Sequence, residues 1–446
     1  MDTLQTEFNL KTFLKFSLPI TMQVLLRQLV GISDNVMVGN LGPIYMASLR
    51  IATSYFFFFI VLIFAFSSSG GVVASHSWGR KDITSFKKDV GTTIFFSTIV
   101  SVIFALILFF KSDFLTKLMI DNETIIYHSK TYLKIISLAF VLNGFNMALS
   151  IGFTSSGSTK YPFYVQIITT VLNLILNYLL IYGNFGFPKM TVAGAAWASV
   201  ISTLIGTIVL IIFAIKNNKM PSLKNIISPY IDDIKEMLKV GLPILADMLS
   251  WQMASMVYLS FIGRGKNPTE DMAVYGVIGL FISILFIFIS GFVSGTGIVV
   301  GQLIGAGLKD KSFEFAKKSH KYSVIISFIP SLIIIISSFV IPHFFKLEGY
   351  SYSACVICLI ILAFRQGFAT TNGVLASTIR SGKDSMSCFI ITLSSFLLIG
   401  LPLTFLAGPV FKFGVVIIFS GMTIEEIVKA VIFYIRFRSK KWILER

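Results

Sequence analysis

One acid, placed where an acid is expensive, limits the chemistry open to this chain. Asp34 lies within residues 16–42, FSLPITMQVLLRQLVGISDNVMVGNLG, a stretch otherwise apolar enough to cross a bilayer. Gln23, Arg27, Gly31 and Asp34 follow one another at spacings of four, four and three, which puts them on one helical face. An ionisable group at membrane depth costs about 2.5–3.5 kcal/mol on insertion scales, so it is expected to face a bundle interior or a water-filled cavity. A later apolar stretch carries Gln166, Thr170, Asn173 and Asn177 at spacings of four, three and four, and Asn143 and Asn146 lie one turn apart before it. One acid among amides and hydroxyls suits a proton or a small hard cation such as Na⁺, with Asp34 as the ligand that would hold it. The plainer role for the amides is interhelical hydrogen bonding, worth about 0.6 kcal/mol per bond. That role needs no carboxylate, and Asp34 is read as the only one inside the spans of the first half.

The second half is charged differently. The stretch around Asp34 returns as residues 240–263, VGLPILADMLSWQMASMVYLSFIG, with Pro19 answering Pro243 and Gly39 answering Gly263 at an offset of 224. That offset carries Asp34 onto Tyr258 and Asp247 back onto Gln23. Asp247, Tyr258, Arg365 and Gln366 are the polar candidates for substrate or proton handling, and an Asp247–Arg365 pair would neutralise two costly charges. Tyr55, Tyr258, Tyr275 and the run 56–59 could line a cavity for flat organic cations through cation–π contact, or fill helix contacts. Cys355 and Cys358 form a lone CxxC without a second pair or clustered histidines, which reads as helix packing.

The elements that must position these residues are membrane helices. Hydrophobic residues make up 55% of the chain and charged ones 13%, which excludes an ordinary soluble domain. Apolar runs of about twenty residues recur throughout, and backbone in lipid must satisfy its own hydrogen bonds, so the runs are helices. Twelve spans are read, near 16–37, 46–70, 91–110, 130–152, 163–182, 191–215, 240–262, 273–300, 322–341, 354–378, 386–407 and 415–435. Residues 1–215 form a first six-helix lobe, 216–239 a cytoplasmic linker, and 240–446 a second lobe; residues 229–239 could be a short surface helix. Small residues at 193–196 permit close helix approach. The net charge of +16 sits in loops rather than in a nucleic-acid surface. Lys and Arg concentrate in alternate loops, which places both termini in the cytoplasm. The N-terminus lacks the pattern of a cleaved leader, so the first span is expected in the mature protein. No GxxxxGK[ST] loop is present, which disfavours an ATP-driven pump, and no enzyme-like arrangement of His, Ser or Glu lies within the spans.

Taken together, the residues resemble those of the multidrug and toxic compound extrusion (MATE) family. The resemblance rests on Pro19 with Asp34 and the following 35–42 NVMVGNLG, on 78–82 WGRKD, and on Gly305-Ala306-Gly307 with Lys309-Asp310. It also rests on 156–162 SGSTKYP, on Asn173 to Asn177, and on Phe187-Pro188 and Gly194-Ala195-Ala196. It implies two six-helix lobes in a V and exchange of a cytosolic drug for external H⁺ or Na⁺ by alternating access, with no other cofactor. By the same resemblance, Asp34 binds the coupling cation together with Asn173 and Ser199, while Asn177 stands where the family often has a second acid. Pro19 is then the hinge of span 1. The expected partners are cationic, aromatic drugs and the lipid bilayer, not nucleic acid, and the expected setting is a monomer in a bacterial plasma membrane. A lipid-linked oligosaccharide flippase of related architecture would need a cavity rich in Arg and Lys, for which only Arg27, Arg50 and Arg365 are candidates.

Overall fold

The computed structural model describes residues 9–227, 229 and 231–444, and among these there is no strand. The chain before Asn9, assigned above to the cytoplasm, lies outside the described residues. The long helices are α1 (Leu10–Gly39), α2 (Pro43–Gly79), α3 (Ile83–Phe110), α4 (Glu123–Ser155), α5 (Lys160–Tyr182) and α6 (Val192–Lys216). They continue with α7 (Ile231–Ile262), α8 (Pro268–Gly305), α9 (Lys309–Ser337), α10 (Gly349–Ser381), α11 (Ser385–Val410) and α12 (Val415–Arg438). Ten of them are long and apolar enough to cross a membrane. The other two, α1 and α12, carry more polar and charged residues, Arg27 and Asp34 in one and Glu425, Glu426 and Lys429 in the other.

The fold divides into two compact units, residues 22–241 and residues 1–21 with 242–446. In the first unit, helix ends are set by local polar chemistry. Asp82 caps α3, accepting from the Ser85 hydroxyl at 2.6 Å and its amide at 2.9 Å, and these bonds hold the carboxyl below the usual carboxylate range. Because α3 starts directly after this cap, it reaches further back than the expected span and takes in Asp89, which is buried. Asp34 is therefore not the sole carboxylate within the first-half helices. The small residues at the start of α6 do allow close approach. A Cβ on Gly194 would lie 2.6 Å from the Leu180 backbone of α5, and Ala195 and Ala196 are fully buried. Most of the aromatics singled out fill helix contacts here. Tyr55 donates to the Leu115 carbonyl at 2.8 Å, and Phe56 meets Phe140 edge-on at 5.4 Å.

The second unit corrects two expectations. Residues 231–239 are not a separate surface helix: α7 runs unbroken from Ile231 to Ile262 with Pro243 inside it. Asp247 does not pair with Arg365 either, since its carboxylate is bonded by Arg380. Helical periodicity places both arginines of α10 within reach of a neighbour but says nothing of depth. Their separation of fifteen positions spans about 22 Å, and Asp247, midway along α7, meets the arginine in the last turn of α10. Helix α11 is irregular, with π-helical turns at Phe396–Gly400 and Leu406–Val410. Pro402 and Pro409, which cannot donate to the ladder, lie in or beside them. Cys355, Cys358 and Cys388 are all buried free thiols.

The segment between α6 and α7 is docked on the first unit rather than hanging as a tether. A Cβ on Gly91 of α3 would lie 2.8 Å from the Asn225 carbonyl, so the short helix Leu223–Ile227 lies directly on α3. Lys87 donates to Asn218 at 2.7 Å. Lys219 donates to Ser156 at 2.6 Å and Ser158 at 2.5 Å, and its ammonium lies 5.0 Å from the Trp78 ring centre. Burial, and then the neighbouring Lys160, push the Lys219 pKa down from 10.5 to about 8.

Two predictions follow from these contacts. Arg380→Met should destabilise the detergent-solubilised protein by about 3–5 kcal/mol by stranding a buried carboxylate, and adding Asp247→Asn should restore most of the loss in thermal unfolding. Arg365→Met should cost the same whether or not Asp247→Asn is present. For Lys219, the folded state binds fewer protons than the unfolded chain between pH 8 and 10.5, so stability contributed at this position rises with pH across that window. Lys219→Met should lose that rise when thermal unfolding is followed from pH 7 to pH 10.5.

Candidate functional site

In the first unit the structure brings together all four residues expected at the coupling site. Asp34 comes from α1, Asn173 and Asn177 from one face of α5, and Ser199 from α6. Asn177 Nδ2 donates to Asp34 Oδ1 at 2.6 Å and to Asn173 Oδ1 at 3.0 Å, and Asn173 Nδ2 donates to Ser199 Oγ at 3.2 Å. Asp34 is only 7% exposed, and Asn173 and Asn177 are buried more completely. The four-residue spacing of the asparagines stacks their amides one turn apart, so each can pass a hydrogen bond to the next. Tyr132 of α4 lies close enough to Asp34 to feel its charge, a neighbour that the sequence reading did not identify.

Two features give this site its chemical character. Among the described residues, Asp34 has no ion-pair partner, so its charge is met only by an amide. Asn177 Oδ1 is buried with no hydrogen-bond donor. A buried acceptor without a donor beside an uncompensated carboxylate is an arrangement that a proton or a monovalent cation would complete. The donor set is all oxygen, from Asp34, Asn177 and Asn173, which fits H⁺ or Na⁺ and no soft metal. The remaining polar residues of these faces are structural ties. Gln166 donates to Thr170 at 3.2 Å, Asn146 to Thr207 at 3.3 Å, and Gln23 to the Thr159 carbonyl at 3.4 Å. Arg27, placed on the Asp34 face by periodicity, is exposed. Pro19 lies inside α1, which continues through it.

The polar candidates of the second unit do not form one site. Asp247 is held by Arg380, while Gln366 is buried with its Nε2 unpartnered. Arg365 bonds Glu426 at 3.1 Å, and Tyr258 donates to Glu425. Glu425, Glu426 and Lys429 went unread in the sequence, and so did Asn372, which donates to Glu426 at 2.7 Å. A signal was present: two acids and a lysine at spacings of three and four inside an apolar run form one helical face with both signs of charge.

Comparison with known proteins agrees with this architecture. The MatE family model matches twice, over residues 19–179 and 243–406. Across 97% of its length the chain is 25% identical to the uncharacterized transporter YisQ of Bacillus subtilis, covering 95% of that protein. It is 24% identical to the probable multidrug resistance protein NorM of Thermotoga maritima, covering 97% of this chain and 93% of the relative. Among solved structures, a MOP superfamily transporter from Pyrococcus furiosus superposes with a TM-score of 0.86 at 17% identity, over 99% of this chain and 98% of the other. The D35N mutant of the Vibrio cholerae MATE transporter VcmN superposes with a TM-score of 0.87 at 16% identity, over 99% and 97%. The doubled match, covering both repeats and both prolines of the repeated helix, places this all-helical chain in the MATE family of membrane transporters.

Proposed function

We propose that this chain exports amphipathic, cationic and aromatic drugs in exchange for H⁺ or Na⁺, by alternating access. The observation that carries the reading is Asp34, a buried carboxylate with no cationic partner among the described residues, joined to a chain of oxygen-bearing side chains. In the proposed cycle Asp34 takes up the cation from outside, with Asn177 Oδ1 and Asn173 Oδ1 as the further oxygens available to Na⁺. A proton would instead neutralise the carboxylate alone. Loss of the charge removes the pull that holds Asn177 to α1. Helix α1 is then free to bend near Pro19, where one backbone hydrogen bond is missing, and drug leaves outward. Each monovalent cation moving down the potential supplies about 2.3 kcal/mol per 100 mV, enough for about fortyfold accumulation at about 1.4 kcal/mol per tenfold. The same reading has the protein act as a monomer in a bacterial plasma membrane with both termini in the cytoplasm, in keeping with the basic alternate loops. The names of the NorM relatives support drug export.

The test is ethidium efflux from energised vesicles. Asp34→Asn should abolish gradient-driven efflux while ethidium still binds the purified protein; efflux that survives would move the coupling site elsewhere. Imposing a Na⁺ gradient and a pH gradient separately names the ion. Asn177→Asp, which adds a second carboxylate beside Asp34, should strengthen dependence on Na⁺, seen as half-maximal efflux at lower external Na⁺ than in wild type.

A further inference from the structure

Away from its buried charges, the second unit carries a groove whose chemistry changes from one end to the other. It lies between α11 and α12 and has a volume of about 370 Å³, within the range of about 300–1,000 Å³ common for small-molecule sites. Ser387, Ile390 and Ile391 form the α11 wall, at spacings that share one helical face. Ile432, Ile435, Arg436 and Ser439 form the α12 wall on the same rule. Asp384, just before α11, accepts from Arg436 Nε at 3.0 Å and Nη2 at 2.6 Å, which sets the start of α11 beside the end of α12. Both walls therefore turn from isoleucine to polar side chains toward the same end.

A reversal of the chain brings a further cation to that end. After α12, Lys440 takes a left-handed conformation with φ 57°, and the tail beyond it is pinned. Trp442 and Ile443 are buried, and Trp442 Nε1 donates to the Phe437 carbonyl at 3.1 Å. A Cβ on Gly382 would lie 2.1 Å from the Trp442 carbonyl oxygen, so the tail sits directly on the end of α10. Lys441 is thereby held at the groove and lines it. Lys440 is turned elsewhere, its ammonium 3.6 Å from Asp310 and 4.7 Å from the Phe313 ring centre. Lys441 is exposed and, among the described residues, meets no carboxylate. Residues 436–444 hold Arg436, Arg438, Lys440 and Lys441 and no acid.

We infer that this groove binds one anionic phospholipid, its phosphate met by Lys441 and the Ser387 hydroxyl and one acyl chain laid on the isoleucines. The occupant follows from the placement. Ile390 and Ile435 are 56% and 62% exposed on spanning helices, so hydrocarbon is the medium against them. The polar end stands where those helices leave the membrane, on the side whose loops are rich in Lys and Arg, and basic residues there attract anionic headgroups. From Ile432 to Ser439 the α12 wall rises about 10 Å, comparable to the ~5–10 Å depth of the boundary between headgroups and acyl chains. The cations that favour a phosphate repel a cationic drug. Lipid binding at this groove does not depend on the drug-export reading.

Native mass spectrometry of the purified full-length protein tests the inference without drug or gradient. The probe is a mixed micelle of phosphatidylglycerol and phosphatidylcholine with identical acyl chains. Wild type should retain one phosphatidylglycerol in preference to phosphatidylcholine. Lys441→Gln should weaken that retention about fivefold, the effect of one basic residue at an anionic surface. Lys224→Gln, at an exposed lysine of the other unit, should leave it unchanged. Ile435→Trp, at an exposed position, should block the chain and reduce retention of phosphatidylglycerol at least as far. Equal retention of the two lipids by wild type overturns the inference. An equal loss in Lys441→Gln and Lys224→Gln also overturns it, because general surface charge would then account for the preference. Retention untouched by Ile435→Trp overturns it as well, since the isoleucine half would have no occupant. Should Ile435→Trp fail to fold, the two lysine variants decide.

Discussion

A charge held away from water, with nothing of opposite sign among the described residues to meet it, is the constraint on which the first unit turns. Hydrocarbon and packed helices give a carboxylate little solvation, so it must borrow stabilisation from dipoles or recruit a cation. Asp34 has done the former in part, through the amide of Asn177 at 2.6 Å. That bond, together with the Tyr182 hydroxyl donating to the Met37 carbonyl at 2.9 Å, ties α1 to α5, and α5 is tied in turn to α6 through Asn173 and Ser199. A change in the charge of one side chain is thereby felt by three helices. The close seat of α6 on α5 at Gly194 makes this possible, since a larger residue would hold the two backbones apart.

The second unit answers the same constraint in another way. It buries Glu425, Glu426 and Lys429 beside the partly buried Arg365, so most of the cost is cancelled inside the protein. Two acids and two bases give no net charge, and the helices they join, α10 and α12, are held by several bonds at once. Asp247 with Arg380, and Asp384 with Arg436 at 2.6 Å, repeat that solution along α7, α10 and α12. Duplication thus preserved the order of helices while the sources of charge drifted between them.

How much of this was legible depended on which physical rule was available. The all-helical fold and the repeat could be read because bilayer thickness fixes the length of apolar runs, and Pro19 and Pro243 mark the register. The Asp34 cluster could be read because four-residue spacing fixes which side chains of α5 share a face. Depth could not be read from periodicity, and so Asp247 was matched to the wrong arginine of α10. The face of Glu425, Glu426 and Lys429 escaped because acid and base offset each other within a run that otherwise reads as an ordinary span. Asp89 escaped because helix α3 starts at its cap, Asp82, inside what reads as a polar loop.

The π-helical turns of α11 bear on how such a duplicated protein can change. A turn of this kind holds one residue more than the α-ladder around it, so it can absorb an added amino acid without opening the span to lipid. Backbone groups inside hydrocarbon would otherwise have to be left bare. Side chains inside the turn are redirected while the faces downstream keep their register, which presents a new set of atoms to the helices alongside. Single-residue insertions inside a span, and not only changes in its loops, thus become a route by which one repeat can acquire contacts that its sister lacks.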